Sequence, residues 1–236
     1  MKERPIINRG RPPVRERPIL FSSPMVRAIL SGAKTQTRRI IKPQPIDSAD
    51  DPIGAIDVGV FHPTVIVRGE EAPGPEQFGA YTVDGDRSWR CPFGRPRDRL
   101  WLRENFYQDG QWSLRLGCEP DDPHGGFWSG TSRVIYAADG TPLPDPIPGN
   151  QWRSRPSIHM PRWASRITLE ITDVRLEQLQ DISEADAVAE GCKPIRPELV
   201  QDGLIARPGR SAVEEFRLVW GQIHGGGSWE KNPWVW

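Results

Sequence analysis

GAKTQTRR, at residues 32–39, brings an amine, two hydroxyls and two guanidiniums together directly after a predicted helix end. Ser23 as N-cap, Pro24 at the first helical position and apolar residues at helical spacing predict the preceding helix. Gly32 predicts where that helix ends. A boundary of this kind holds backbone amides and long side chains toward a cleft without burying them. The stretch therefore predicts a site for an anion or a nucleic acid.

Alternation of side chains around residue 100 predicts a half-buried strand. Leu100 and Leu102 occupy one face of it. Trp101 and Arg103 occupy the other face, and Glu104 ends the strand. Further strands are predicted at 18–21, 37–41, 64–67, 81–83, 133–137, 166–176 and 234–236, and helices between the Ser183 cap and Gly191 and at 211–223.

Length and composition predict one elaborated domain. A chain of 236 residues can bury a sizeable core, and 25 prolines with 23 glycines indicate many turns and argue against a helix bundle. We expect a disordered basic tail at residues 1–17 and a single domain at 18–236. Loop-rich insertions are expected at residues 46–98 and 107–150. The tail is either a solubilising segment or a nucleic-acid contact.

Charge and cysteine content exclude several classes of protein. With 31 basic and 31 acidic residues, the chain has no global field for nucleic acid, so any such binding must come from a local patch. Cys91, Cys118 and Cys192 are widely spaced, and the four histidines lack metal-binding spacing, so we expect reduced thiols, no metal and no cofactor. No apolar run approaches the roughly 20 residues that cross a bilayer, and no signal peptide is evident. A cytoplasmic protein without a membrane partner is expected.

Six segments form a combination that is more specific than any one of them: ILF at 19–21, MVRAIL at 25–30, GAKTQTRR at 32–39, WLRE at 101–104, PSIHMPRW at 156–163 and NPWVW at 232–236. Together they resemble the ASCH family, in its bacteriophage and prophage branch. That family belongs to the PUA-like superfamily. The resemblance implies an α+β fold, with a mixed or antiparallel β-barrel and flanking helices. It also implies RNA, single-stranded nucleic acid or a modified nucleoside as the partner.

The resemblance also implies an activity. Similar members include a small amidohydrolase that deacetylates acetylated cytidine, and others with ribonuclease activity. In the amidohydrolase a lysine, a threonine three residues later and a downstream glutamate form the proposed catalytic group, which corresponds to Lys34, Thr37 and Glu104. The leading expectation is therefore hydrolysis of an amide C–N bond on an N-acylated base. A noncatalytic binding module for RNA or single-stranded DNA and a ribonuclease are the alternatives, because one fold hosts many functions.

Two arrangements of Lys34 and Glu104 exclude each other. In the first, neutral Lys34 takes the proton of a Thr37 nucleophile, which requires its pKa to fall from about 10.4 toward 7. In the second, Lys34 stays charged beside Glu104 and stabilises an oxyanion, while Glu104 acts as the base. The arginine-rich stretch favours the second arrangement. A purely structural Lys34–Glu104 ion pair is the remaining interpretation.

The remaining candidates are contacts to phosphates or base edges. Arginine suits planar bidentate partners, and an aromatic ring next to arginine suits base stacking. A histidine in a proline-flanked loop either donates to a base or phosphate or has a structural role. The predicted binding residues are Arg38, Arg39, Trp101, Arg103, His159 and Arg162.

Overall fold

The computed structural model describes residues 13–45, 54–119, 124–199, 205–207 and 209–236. Over these ranges the fold is α+β, rich in strands and with few helices, and the described strands do not close into a barrel. No described helix is both long and apolar enough to span a bilayer. Residues 1–12 of the predicted tail lie outside the described residues. The first strand begins at Glu16, inside the predicted tail.

The elements follow the chain in this order: β1 (Glu16–Leu20), α1 (Ser23–Leu30), β2 (Ile56–Phe61), β3 (Thr64–Val67), β4 (Glu70–Pro73), β5 (Gln77–Thr82), β6 (Ser88–Arg90), β7 (Arg99–Arg103), β8 (Phe106–Leu114), β9 (Gly126–Tyr136), β10 (Gln151–Arg155), β11 (Thr168–Glu170), β12 (Glu177–Gln178), α2 (Glu184–Ala189), β13 (Glu198–Leu199), β14 (Ile205–Arg207), α3 (Ala212–His224) and β15 (Trp234–Val235). Short 3-10 turns lie at Ala137–Asp139, Ser157–His159, Arg162–Ala164 and Leu179–Asp181.

Strand β7 is the centre of the first sheet. It pairs with β1 in parallel and with β11 in antiparallel orientation. Leu100 and Leu102 are buried in a core that Val26 of α1 shares, whereas Trp101 and Arg103 are only half-buried on the opposite face. The predicted alternation is therefore confirmed. The predicted strand at 166–176 is wrong in length, because only the three residues of β11 pair with β7.

Helix α1 is confirmed, with one shift at its start. Ser22, not Ser23, occupies the N-cap position, and Pro24 lies in the first turn. Gly32 follows the helix with φ +73°, a left-handed conformation that glycine adopts without steric cost. The helix end that positions residues 32–39 is thus where the sequence predicts it.

A second core joins α2 and α3 to the C-terminal strand. Leu179, Phe216 and Trp220 are buried there together with Val235. Ser211 caps α3 through a reciprocal capping box, as local sequence signals predict for such a helix. Residues 39–41 exchange backbone hydrogen bonds with residues 234–236. The predicted strand at 37–41 is nevertheless reduced to an isolated bridge between Ile40 and Val235 of β15.

Residues 107–131 were expected to be loop-like, and this expectation is wrong. Residues 107–114 belong to β8 and residues 126–131 to β9, and these two antiparallel strands pair with β10 as a third. Glycines that suggest turns allow close strand pairing instead: a Cβ on Gly110 would lie 2.4 Å from the Ser129 carbonyl oxygen. The other predicted insertion, at residues 46–98, also contains regular structure: the three-stranded β2-β5-β6 sheet and the β3–β4 hairpin.

Candidate functional site

The stretch at residues 32–39 connects the ends of two helices. The backbone N–H groups of Ala33 and Lys34 both donate to the Ala28 carbonyl of α1. The N–H groups of Thr35 and Gln36 donate to the carbonyl of Ala189, the last residue of α2, at 2.7 and 2.9 Å. Because both helix ends hold it, the backbone of the stretch has a fixed path, and the directions of its side chains follow from that path.

Lys34 lies in a buried ion pair with Glu190. Its Nζ donates to Glu190 Oε2 at 2.5 Å and to the Glu190 carbonyl at 2.9 Å, and the two side chains are 2% and 5% exposed. Burial lowers the pKa of Lys34 below its ordinary value, and the Glu190 carboxylate opposes that shift. The expected pairing of Lys34 with Glu104 is wrong, because Glu190 takes that place.

Arg38 extends the same buried network. Its Nη2 donates to Glu177 Oε2 at 2.8 Å and lies 3.5 Å from Asp186 Oδ2, while Nη1 lies 3.5 Å from Glu190 Oε1. Arg175 bridges Glu177 and Asp186 from the outer side. Carboxylates therefore neutralise the guanidinium that was predicted to contact phosphate, and the structure places it inside the protein.

The acidic partners were not identified from the sequence. Asp186 and Glu190 lie within the predicted helix between Ser183 and Gly191, and no local pattern marks either of them, or Glu177, as a partner of Arg38 or Lys34. Glu190 lies 156 residues from Lys34 along the chain. The one available signal was indirect: a cluster of cations beside a helix end needs anions if it is to be buried.

This network predicts acid sensitivity. The Ser183 hydroxyl, followed by Arg175, Gln36 and Arg38, holds the pKa of Asp186 well below its usual range. A depressed carboxyl pKa stabilises the fold above the unfolded value of about 3.9, and this stabilisation is lost as the pH falls below it. We expect Asp186→Asn to show a shallower loss of unfolding free energy between about pH 4 and pH 2 than the parent protein.

Urea unfolding across that pH range is the measurement for Asp186→Asn. Asp181→Asn is the matched control, because Asp181 is exposed on the neighbouring turn. Identical pH slopes for the parent protein and Asp186→Asn would contradict the role assigned to this carboxylate.

Glu104 belongs to a separate cluster at the end of β7. It is 1% exposed, and its two oxygens accept hydrogen bonds from Arg166 Nε and Nη2 at 3.0 and 3.1 Å. Arg166 also binds Asp139 and stacks on Tyr136, with Cζ 3.9 Å from the ring centroid. Arg166 was predicted only as an outward residue at the start of a strand, so its role as the partner of Glu104 was missed.

The three predicted catalytic residues make no hydrogen bond or ion pair with one another in the described structure. Thr37 is half-buried, and its hydroxyl has no hydrogen-bond partner among the described residues. Lys34 is bonded to Glu190, and Glu104 to Arg166. No hydrogen bond or ion pair joins any two of the three within the described ranges.

Three of the predicted binding residues do come together. Trp101 lies on the outward face of β7, with Arg103 Cζ 5.5 Å and Arg162 Cζ 5.9 Å from its ring centroid. Arg162 is held by Glu16 at 3.0 Å. Arg103 has no carboxylate partner within the described ranges, and its buried Nε has no hydrogen-bond partner there. We call this group, Trp101, Arg103 and Arg162, the Trp101 surface.

Arg39 and His159 border this surface in different ways. Arg39 Nη2 donates to the Leu20 carbonyl at 2.6 Å, and Leu20 is the register partner of Arg103. His159 is exposed in a 3-10 turn that begins at Ser157, whose N–H donates to Asn105 Oδ1 at 2.9 Å. Both residues therefore lie on segments that are attached to the end of β7.

A cleft of about 770 Å³ opens on the other side of the acidic network. Arg175, Glu177 and Trp234 line it together with apolar residues of β2. None of the predicted site residues lines it. In the parts of the chain that the structure describes, no three histidine, cysteine, aspartate or glutamate residues are grouped to hold a metal ion.

Comparison of the chain with family models, curated proteins and solved structures finds no match. The resemblance to the ASCH family and the activity that it implies therefore remain predictions.

Proposed function

We propose that this chain is an ASCH-type protein with a PUA-like fold, and that it binds single-stranded nucleic acid, RNA in particular, at the Trp101 surface. The observation that carries this proposal is that the guanidiniums of Arg103 and Arg162 both lie within 5.9 Å of the Trp101 ring centroid on an outward sheet face. Bases stack on aromatic rings and on guanidinium planes. An arginine without a carboxylate partner is free to contact phosphate.

Binding is preferred to catalysis because the groups needed for proton transfer are already engaged. Lys34 and Glu190 neutralise each other in a nearly inaccessible pair, and Arg166 occupies both oxygens of Glu104. A general base must reach the proton that it abstracts. On the Trp101 surface, in contrast, Trp101 and Arg103 are half-exposed and Arg162 is exposed, so a ligand can reach this surface without rearrangement of a core.

Trp101→Ala is expected to weaken binding of a labelled single-stranded RNA by about 5- to 150-fold, because one stacked base contributes about 1–3 kcal/mol. Fluorescence anisotropy gives the dissociation constant. Trp163→Ala is the matched control, since Trp163 is exposed and no described arginine stacks on it. Equal affinity of Trp101→Ala and the parent protein, with both folded, would overturn the proposal.

A second candidate is the amidohydrolase acting on an N-acylated nucleoside. The cleft of about 770 Å³ favours it, since ligand pockets commonly measure about 300–1,000 Å³. Trp234 offers an aromatic surface there. Glu177 lines the cleft and also accepts a hydrogen bond from Arg38 of the 32–39 stretch. A ligand that contacts Glu177 in the cleft would therefore be one side chain away from that stretch.

Hydrolysis of acetylated cytidine tests this candidate. Thr37→Val is the most informative variant, because the hydroxyl that it removes has no hydrogen-bond partner among the described residues, so the fold is expected to stay intact. Lys34→Ala and Glu104→Ala complete the set. Turnover by the parent protein that is lost in Thr37→Val would support amide hydrolysis. Absence of turnover by the parent protein, or full turnover by Thr37→Val, would remove the proposed mechanism.

A further inference from the structure

The β10-β8-β9 sheet has one covered face. Trp152 of β10 donates its Nε1–H to the Pro144 carbonyl at 2.6 Å. On the same side, the Ile147 N–H donates to Asp109 Oδ2 at 3.4 Å, and Arg133 Nη1 donates to the Asp145 carbonyl at 3.1 Å. The connection that precedes β10 therefore lies over this face of the sheet.

The opposite face carries two tryptophans and an arginine. Trp112 of β8 and Trp128 of β9 are register partners, and their rings meet edge to face with centroids 5.9 Å apart. Arg153 of β10 places its Cζ 4.8 Å from the Trp112 ring centroid and 5.4 Å from that of Trp128. Trp112 is 56% exposed. We call these three residues, together with Arg155, the Trp112 face.

Glycines of the sheet make room for this arrangement. A Cβ on Gly110 would lie 2.9 Å from Trp128 Cζ2, and a Cβ on Gly130 would lie 2.4 Å from the Gln108 side chain. Both distances are below normal contact. The Trp128 ring therefore lies close over the backbone of β8, where only glycine leaves enough space.

The arginines of this face lack acidic partners. Arg153 and Arg155 lie two residues apart on β10 and so point to the same side of the sheet. No carboxylate contacts either guanidinium in the described part of the chain, and the buried Arg155 Nε has no hydrogen-bond partner there. Among the described residues no carboxylate offsets these two charges, and Arg153 lies beside the exposed Trp112 ring. This combination complements a phosphate backbone with unpaired bases.

The face is a short distance from the Trp101 surface. Arg155 is the register partner of Phe106, which follows Arg103 by three residues, a span of at most about 10 Å. Arg155 also lies two residues before Ser157, the first residue of the turn, whose N–H donates to Asn105 Oδ1. Arg155 is therefore the residue of the Trp112 face that lies nearest to Arg103 along the paired backbone.

We infer that the Trp112 face is a second binding surface for the same single-stranded nucleic acid, an inference that rests on the proposed function. One base stacks on Trp112 and the guanidinium plane of Arg153, and Arg155 contacts the adjoining phosphate. The two surfaces together give the protein a longer binding site than the Trp101 surface provides by itself.

Affinities for RNAs of about 5 and about 15 nucleotides test the inference, because these lengths lie near the two ends of the range that single OB folds cover, roughly 4–16 nucleotides, and only the longer RNA can reach both surfaces. The parent protein is expected to bind the longer RNA more tightly. Trp112→Ala is expected to lose about 5- to 150-fold of affinity for the longer RNA. Arg153→Lys is expected to weaken binding as well, because lysine keeps the charge but not the stacking plane. Leu116→Ala is the control, as Leu116 is a fully exposed apolar residue of the same hairpin.

The outcomes separate the two proposals. Loss of affinity in Trp101→Ala with none in Trp112→Ala or Arg153→Lys overturns the second surface and leaves the first. Loss in Trp112→Ala with none in Trp101→Ala supports the Trp112 face and overturns the Trp101 surface. No RNA binding by the parent protein overturns both. Because Trp112 is exposed, its replacement leaves the fold intact, which the thermal unfolding temperature verifies.

Discussion

Replacing Glu190 by alanine is expected to destabilise the protein by about 3–5 kcal/mol, because Lys34 is left buried without its carboxylate. The Lys34 ammonium donates to two oxygens of Glu190 and is shielded from solvent. Arg38 loses a third acidic neighbour in the same variant, although Glu177 and Asp186 remain. Urea unfolding at neutral pH gives the free energy directly.

Two further variants distinguish a buried charge from a general packing defect. Glu16→Ala breaks an exposed pair with Arg162 and is expected to cost less than about 1 kcal/mol. The double variant Lys34→Met/Glu190→Leu replaces both residues of the ion pair and so leaves no unpaired charge. It is expected to recover most of the unfolding free energy that Glu190→Ala loses. A Glu190→Ala protein as stable as its parent would contradict the buried pair.

Arg166→Ala is expected to cost about 2–3 kcal/mol, because the carboxylate of Glu104 is then left nearly inaccessible and unpaired. This loss of unfolding free energy is smaller than that expected for Glu190→Ala because Arg166 itself is partly exposed. Urea unfolding is again the measurement.

Glu104→Leu is the informative comparison for Arg166→Ala. It removes the buried charge, while Arg166 retains Asp139 and its stacking on Tyr136. We expect this variant to be the more stable of the two. If Glu104→Leu were the more damaging variant, the assignment of Glu104 as a carboxylate that depends on Arg166 would be wrong.

Local signals account for the parts of the fold that the sequence predicts well. Ser183 before α2, Ser211 before α3 and Gly32 after α1 act within a few residues, through caps and backbone conformation. Leu100 and Leu102 alternate with outward residues because one face of β7 is buried, so this pattern is likewise visible in the local sequence. These features need no knowledge of distant parts of the chain.

The predictions that the structure contradicts failed for a different physical reason. Lys34 was matched to Glu104, but choosing Glu190 among 31 acidic residues requires knowing that α2 ends beside the 32–39 stretch. The β8–β9 hairpin was missed because Gly110 and Gly130 indicate turns locally, whereas in the sheet they admit close pairing. Both errors concern contacts between segments, which local periodicity does not encode.

The surroundings of Arg38 and Arg103 differ, and this difference is why we propose nucleic-acid binding at the Trp101 surface. Arg38 is enclosed by three carboxylates and stabilises the junction of the 32–39 stretch with α2. Arg103 has no carboxylate partner in the described residues and lies beside an aromatic ring. An arginine that is already neutralised adds little to phosphate binding, whereas an unpaired one releases counterions from the nucleic acid when it binds.

The salt dependence of RNA binding measures that difference directly. We expect the logarithm of the association constant to fall linearly with the logarithm of salt concentration, and Arg103→Ala to reduce the slope by about one. Arg217→Ala, which removes an exposed arginine of α3 paired with Glu230, should leave the slope unchanged. RNA binding that does not respond to salt, or an unchanged slope in Arg103→Ala, would contradict nucleic-acid recognition at the Trp101 surface.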